Sequence, residues 1–356
     1  MIIYFIIFSF LFLMSLFDFV VRKDQLYNYI YIGFAIFIFF IAAFRGMGND
    51  YDGYREIFDS IQDIDFISIF DPSQVYVEPG FAILNFIIGY FLPYQTILII
   101  MAAANISILF PFFRKYSPYP YATLLFFAGM FMYSGMMGLI RQALAISICL
   151  WAMAESDKRR FWWLVLLATT FHYSAILVII ARFIKDKFYT LKTYLVILGI
   201  AITSNLLFYG IFKLMVAFLP QVISWKLQIY LGTEEGIHFG FNAAVAIRLF
   251  TFSLAYLYRD KIIEYFPKHG PLFVNLYFLA IVIYTGFGFL PQMAARGAVY
   301  FHYMELLVVP IILYCASNLN RTWIFTLYTL FSLWRHIEMV TTYADAYVPY
   351  KNILFS

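Results

Sequence analysis

Long apolar runs dominate this chain, and the places where they break predict its elements. Runs of about 17–25 apolar residues can cross a bilayer as helices. The first covers about residues 2–21 and is followed by Arg22-Lys23-Asp24. The second covers about 27–44 and ends at Phe44-Arg45. Polar sequence then continues to Glu78-Pro79-Gly80. It carries eight acids (Asp50, Asp52, Glu56, Asp59, Asp63, Asp65, Asp71 and Glu78) against two bases, Arg45 and Arg55. We read 45–78 as an acidic loop, with 55–78 as a lid over the residues before it. The next apolar run, 79–92, stops at Pro93. It is short for a span and predicts a re-entrant or half helix, of the kind tolerated where it lines a cavity.

Further crossings are expected at 94–113, 121–136 and Leu139–Ala154, with Ser134–Gly138 as a turn. The run 161–184 reads as two half helices tipped by Phe171-His172-Tyr173. Then come 193–219, a loop at 220–240 with Glu234, Glu235 and His238, and 241–258. A basic loop carries Arg259, Lys261, Lys268 and His269. The crossing 272–290, a turn Pro291–Gly297 carrying Arg296, the crossings 299–317 and 323–340, and a tail 341–356 complete the chain. Basic residues favour the cytoplasmic side of short loops. With the two half helices, that rule puts the basic clusters inside and the N-terminus and acidic loop outside. Arg45, Arg141, His172 and Arg296 then gather on the outer face. Residues 2–21 lack a basic leader and a small-residue cleavage site, so they read as a retained helix.

Composition agrees with the pattern. The chain is 64% hydrophobic and 12% charged over 356 residues, with a mean hydropathy of +0.82. That excludes a soluble globular domain. The expected fold is an all-α polytopic membrane protein with about 10–12 transmembrane helices, short half helices and an outer-face cavity. Residues 1–356 form one integral membrane domain in this reading. The alternating segments of a membrane β-barrel are absent from the sequence pattern. A net charge of +4, scattered through short loops, points to no nucleic-acid partner. Cys149 and Cys315 lie in apolar segments and make neither a disulfide framework nor a metal-ligand pattern.

Charge inside an apolar helix costs roughly 2.5–3.5 kcal/mol on insertion scales, so such residues face protein or a wet cavity. Here they are Arg45, Arg141, Arg248, Arg296, Glu305, Arg335 and Glu338, with His172, His302 and His336. Arg45 is either a snorkelling helix-end residue or part of a site built with Asp50, Tyr51 and Tyr54. Glycines allow close approach there, and tyrosines offer stacking faces and hydroxyls for a sugar. Arg141, beside Gln142, either pairs with an acid or binds an anion through its planar fork. His172 is either a hydrogen-bonded structural residue or a proton carrier. His302 and Glu305 are three apart on one helix face. Glu305 either neutralises Arg248 or Arg141 or works as a base. Arg335 and Glu338, also three apart, read as a structural pair. Asp50-Tyr51-Asp52 has the letters of a sugar-nucleotide site but falls in a loop expected outside.

The ordered pieces Phe44-Arg45…Gly48-Asn49-Asp50-Tyr51…Tyr54, Glu78-Pro79-Gly80-Phe81, Ile140-Arg141-Gln142-Ala143…Ala145 and Phe171-His172-Tyr173-Ser174-Ala175 resemble the EpsG family of Wzy-type polysaccharide polymerases. Arg296…Tyr300-Phe301 and Val348-Pro349-Tyr350 extend the likeness over nearly the whole chain. Asn49 departs from it, standing where the family pattern has threonine. The resemblance implies a multi-pass enzyme of the bacterial inner membrane with its site facing the periplasm or exterior. It would join glycan repeat units carried on undecaprenyl pyrophosphate, with no nucleotide sugar, cofactor or metal. A flippase and a chain-length regulator are expected partners. In that reading Arg45, Arg141 and Arg296 bind pyrophosphate, and Asp50, Glu78, His172 or Glu305 deprotonates the acceptor hydroxyl. Tyr51, Tyr54, Gln142, Arg248, Tyr300 and His302 contact substrate. An O-antigen ligase would share the arginine logic. A lipid-linked sugar flippase should show matching interrupted halves, which are not evident here.

Overall fold

The computed structural model describes residues 2–20, 24–71, 73–218 and 243–354. Regular structure among them is helical apart from one isolated antiparallel bridge, Arg45 with Asn352. The chain divides into two compact units, Met1–Ile176 with Ala316–Ser356, and Leu177–Cys315. The expected Arg22-Lys23 bases and the 220–240 loop with Glu234, Glu235 and His238 lie outside the described residues.

The first unit opens with α1 (Ile2–Phe17), α2 (Gln25–Ala43), α3 (Tyr51–Gln62) and α4 (Pro79–Gly89). It continues with α5 (Gln95–Tyr116), α6 (Pro120–Met130), α7 (Ile140–Ala154) and α8 (Lys158–Phe171). A 3₁₀ element, Tyr173–Phe183, follows. The second unit contains α9 (Leu191–Ala217), α10 (Ala243–Leu257), α11 (Arg259–Tyr265), α12 (Gly270–Gly286), α13 (Pro291–His302) and α14 (Glu305–Cys315). The chain returns to the first unit as α15 (Asn318–Thr342) and α16 (Ala344–Tyr347).

Among the described residues, Gln25–Ala43, Gln95–Tyr116, Leu191–Ile211 and Ala294–Cys315 are long and apolar enough to cross a membrane. The protein is a multi-pass, all-α membrane protein. Large apolar side chains remain exposed on α2 (Leu26, Ile32, Ile36) and α9 (Leu195, Ile200, Leu207), as a lipid-facing surface requires. In the first unit α1 and α15 pack on α6, α2 on α5, α5 on α7 and α7 on α8. Helices α2 and α5 run antiparallel. Gln95 Nε2 donates to Ala43 O at 2.5 Å at one end. Arg114 donates twice to Asn28 Oδ1, at 2.6 and 3.0 Å, at the other. In the second unit α12 is central and packs on α9, α10, α13 and α14. Its Asn275 donates to the carbonyls of Lys185 and Lys187 at 2.8 and 2.9 Å.

Helix α4 has 11 residues, a length of about 16 Å, about half a hydrocarbon core. The 161–184 run breaks at His172, as expected, into α8 and the 3₁₀ element. Other expectations need correction. The acidic 45–78 stretch is not all loop. It contains α3, whose Tyr54, Ile57, Phe58 and Ile61 form a buried stripe at helical spacing. Asp52, Glu56 and Asp59 lie on the exposed side of α3. Gln62 Nε2 ties this helix to α4 through Asn85 O at 3.1 Å. The expected turn Pro291–Gly297 is the first part of α13, with Pro291 at a helix start, where its missing N–H costs nothing. The expected single helix 299–317 breaks at Tyr303-Met304 between α13 and α14. The start of the expected 259–269 loop is helical, as α11. Of the expected 341–356 tail, the described residues after Thr342 fold back onto the end of α2.

Candidate active site

The first unit builds a site from four separated segments. Helix α2 ends where the Phe44 N–H donates to Phe40 O. Arg45 follows in extended backbone, paired with the tail. Gly46 N–H donates to Lys351 O at 3.0 Å, and Ile353 N–H donates to Phe44 O at 2.9 Å. The chain turns at Gly48, which has φ +138°, a region that favours glycine. A Cβ there would lie 2.5 Å from Met137 O and 3.3 Å from Arg45 Nε. The Arg45 segment is thereby pressed against the backbone just after the π-helical turn Met132–Met136 that precedes α7.

Arg45 is 1% exposed. Its Nη1 donates to Ala42 O at 2.6 Å, while Nε and Nη2 have no hydrogen-bond partner. No ion pair reaches it among the described residues. Among the described residues, the titratable groups near it are tyrosines, Tyr94, Tyr347, Tyr54 and Tyr350. Burial pulls its pKa below the usual guanidinium value. The same burial pushes Tyr347 up to about 12 and raises Tyr54.

Arg141, second residue of α7, pairs through Nη1 with Glu78 Oε2. Its guanidinium lies 5.6 Å from the ring centres of both Tyr54 and Phe81, within cation–π range. The Tyr54 hydroxyl hydrogen-bonds Arg141. Tyr54 therefore faces both arginines. Arg141 Nε has no partner. Glu78 precedes Pro79 at the start of α4, and its other oxygen accepts from Tyr173 N–H at 3.2 Å. Gly80 permits this approach, since a Cβ there would meet Thr170 O at 2.7 Å. His172 caps α8, with Nδ1 2.7 Å from Ser174 Oγ. The segments 45–54, 78–81, 140–142 and 170–174 thus converge.

Asp50 sits at the N-cap of α3, half-buried, without a side-chain capping bond. It acts electrostatically on Tyr54 and Tyr347. Tyr51 packs edge-on against Tyr94, with ring centres 5.5 Å apart. Tyr54 is 3% exposed and Gln142 is 4% exposed.

The second unit builds a different cluster. His302 Nε2 donates to Glu305 Oε2 at 2.7 Å, and its Nδ1 accepts from Arg248 Nη2, on α10, at 3.4 Å. Arg248 Nη1 has no hydrogen-bond partner among the described residues. Thr251 Oγ1 donates to Glu305 Oε1 at 3.3 Å. The Arg248 guanidinium lies 4.7 Å from the Tyr284 ring centre. Glu305 thus reaches Arg248 through His302, at the break between α13 and α14. Tyr300 is buried on α13 and Arg296 is exposed on it.

The sequence reading missed Tyr94, Tyr347 and Tyr350 around Arg45. The Val348-Pro349-Tyr350 piece was a signal at that position without a role attached. It also missed Asp18, a buried acid at the end of α1. Its carboxylate accepts from the Tyr27 hydroxyl and, at 2.9 Å, from Ala122 N–H in the first turn of α6.

The first unit thus holds a buried arginine with no ion pair among the described residues and, close in sequence to the same converging segments, an Arg–Glu pair. The chain matches the EpsG family over residues 27–352 and belongs to that family, one of Wzy-like polysaccharide polymerases. No curated protein and no solved structure matches it.

Proposed function

We propose that this protein polymerises glycan repeat units carried on undecaprenyl pyrophosphate, at the extracytoplasmic face of the bacterial inner membrane. The carrying observation is Arg45, a buried guanidinium with two donor nitrogens unpartnered and no acid paired to it. An uncompensated buried cation is costly, and an anionic substrate group removes that cost. Arg141, fixed by Glu78 and Tyr54, offers its own unpartnered Nε to the same group.

In the step itself, an acceptor hydroxyl oxygen attacks the anomeric carbon of the growing chain. The bond from that carbon to the pyrophosphate oxygen breaks. Its electron pair leaves on the lipid pyrophosphate, and the arginines stabilise the developing charge. The hydroxyl proton passes to a base. Glu78 and Glu305 are both engaged in pairs. Asp50 has no ion pair among the described residues and lies near Tyr54 and Tyr347, which favours it as that base.

The test is the glycan profile of strains carrying Arg45→Ala or Arg141→Ala, with membrane insertion verified. Single repeat units without long chains are expected. Long chains at the wild-type level in Arg45→Ala would remove the proposal. Repeat units trapped on the cytoplasmic leaflet of a deletion strain would make the protein a flippase. Long chains that never reach their lipid acceptor would make it a ligase.

A further inference from the structure

The tail after α15 is fastened to three elements. Tyr4 Oη of α1 donates to Tyr347 O at 2.6 Å. Tyr347 Oη donates to Tyr133 O, in the π-helical turn, at 3.0 Å. Tyr350 Oη donates to Ile41 O of α2 at 2.8 Å and accepts from Asn352 Nδ2 at 3.0 Å. The backbone of 351–353 then pairs with 44–46, and Lys351 N–H points at Met47 Sδ, 2.9 Å away. Apart from the Tyr4 bond on α1 and the Asn352–Tyr350 bond within the tail, these contacts fall on residues flanking Arg45 or on the turn that backs Gly48. The tail carries no acid after Asp345.

We infer that the segment Tyr347–Ile353 is a positioning element for Arg45, seated by Tyr347 and Tyr350 and closed by the 351–353 pairing. It keeps the guanidinium dry and away from carboxylates, with Nε and Nη2 presented to the anionic group of the substrate. This rests on the anion-binding reading of Arg45 given above. The physical need is clear. A charge–charge interaction that is worth little in water strengthens several-fold when water is excluded. Preorganised donors also need no rearrangement during reaction. Tyr347 and Tyr350 give their hydroxyl protons to backbone carbonyls, so they fasten the tail beside Arg45 without bonding its Nε or Nη2.

The experiment uses the full-length protein in lipid nanodiscs and the arginine reagent phenylglyoxal, with modification read peptide by peptide by mass spectrometry. In the wild type, Arg45 should react far more slowly than exposed Arg55. Ile353→Pro deletes the donor to Phe44 O, and a chain ending at Thr342 deletes the whole tail. Each should raise Arg45 modification on the order of tenfold with Arg55 unchanged. Ile353→Val should stay at the wild-type rate. With purified lipid-linked repeat units, Ile353→Pro should lower kcat with KM little changed, the signature of an interaction made in the transition state. Unchanged Arg45 modification in both Ile353→Pro and the truncated chain would overturn the inference. So would raised modification with kcat at the wild-type level. Failure of the underlying reading looks different: Arg45→Ala with an intact tail would still make long chains.

Discussion

Each unit sets an arginine near a buried glutamate, but the two treat the charge differently. In the second unit the half-buried Arg248 is linked through His302 to Glu305, whose oxygens are both engaged, while Arg248 Nη1 keeps no partner among the described residues. In the first unit Glu78 is likewise engaged at both oxygens, by Arg141 and by Tyr173 N–H. Yet a second arginine, Arg45, is buried with no ion pair among the described residues and has tyrosines as its nearby titratable groups. An arginine tied through a histidine to a buried acid has its charge offset within the protein. A buried cation without a counter-charge is held in place only by the surrounding fold. The comparison separates a cluster that can be wholly structural from one whose charge is left for a substrate.

The largest effect that can break this comparison is on Arg45. Arg45→Met should cut polymerisation on the order of 100-fold or more, as expected for loss of one charge-stabilising donor. Thermal melting in detergent should hold or rise, because an uncompensated buried charge has been removed. A large drop in melting temperature would show that Arg45 is structural. Next come the acids. Glu78→Gln strands the partly buried Arg141, and Glu305→Gln weakens the tie to His302 and Arg248. Breaking a buried pair costs about 3–5 kcal/mol, and the partial exposure of Arg141, 22% of its side chain, puts Glu78→Gln at the lower end. Adding Arg141→Met to Glu78→Gln should recover much of the stability and none of the activity, as a double-mutant cycle would read. Adding Arg248→Met to Glu305→Gln should recover stability. Recovery of activity there as well would mark the second cluster as structural.

Smaller effects sharpen the picture. Gly48→Ala forces a side chain into positive φ and against Met137 O. It should cost about 1–3 kcal/mol and lower polymer length by displacing Arg45. The smallest effect belongs to Arg335, whose i,i+3 pair with Glu338 is more than a third exposed on both sides. Arg335→Ala should change stability by less than about 1 kcal/mol and leave the glycan profile unaltered.

Local pattern carried much of this. The short 79–89 helix followed from Pro93 and from where the apolar run begins. The break at His172 followed from the bases that would otherwise fall on the wrong side. Helix α3 was open to the same reasoning and was missed, because its acids drew attention away from the Tyr54, Ile57, Phe58, Ile61 stripe. Pro291 was read as a turn residue when it begins a helix. The four motif segments around Arg141 were visible as pieces, but their convergence through Glu78, Tyr54 and Tyr173 was not.

By itself the sequence determined the class of protein and most helix positions, because hydrophobic length and helical period are local properties of a chain facing lipid. It also named both arginines, since charge in an apolar run is conspicuous wherever it falls. Only the tertiary structure decided that Arg141 has a counter-charge and Arg45 has none. That depends on Glu78 lying 63 positions from Arg141 and on a tail more than 300 positions away closing over Arg45. No local pattern encodes contacts at that separation; packing sets them, by excluding water from one guanidinium and supplying an acid to the other.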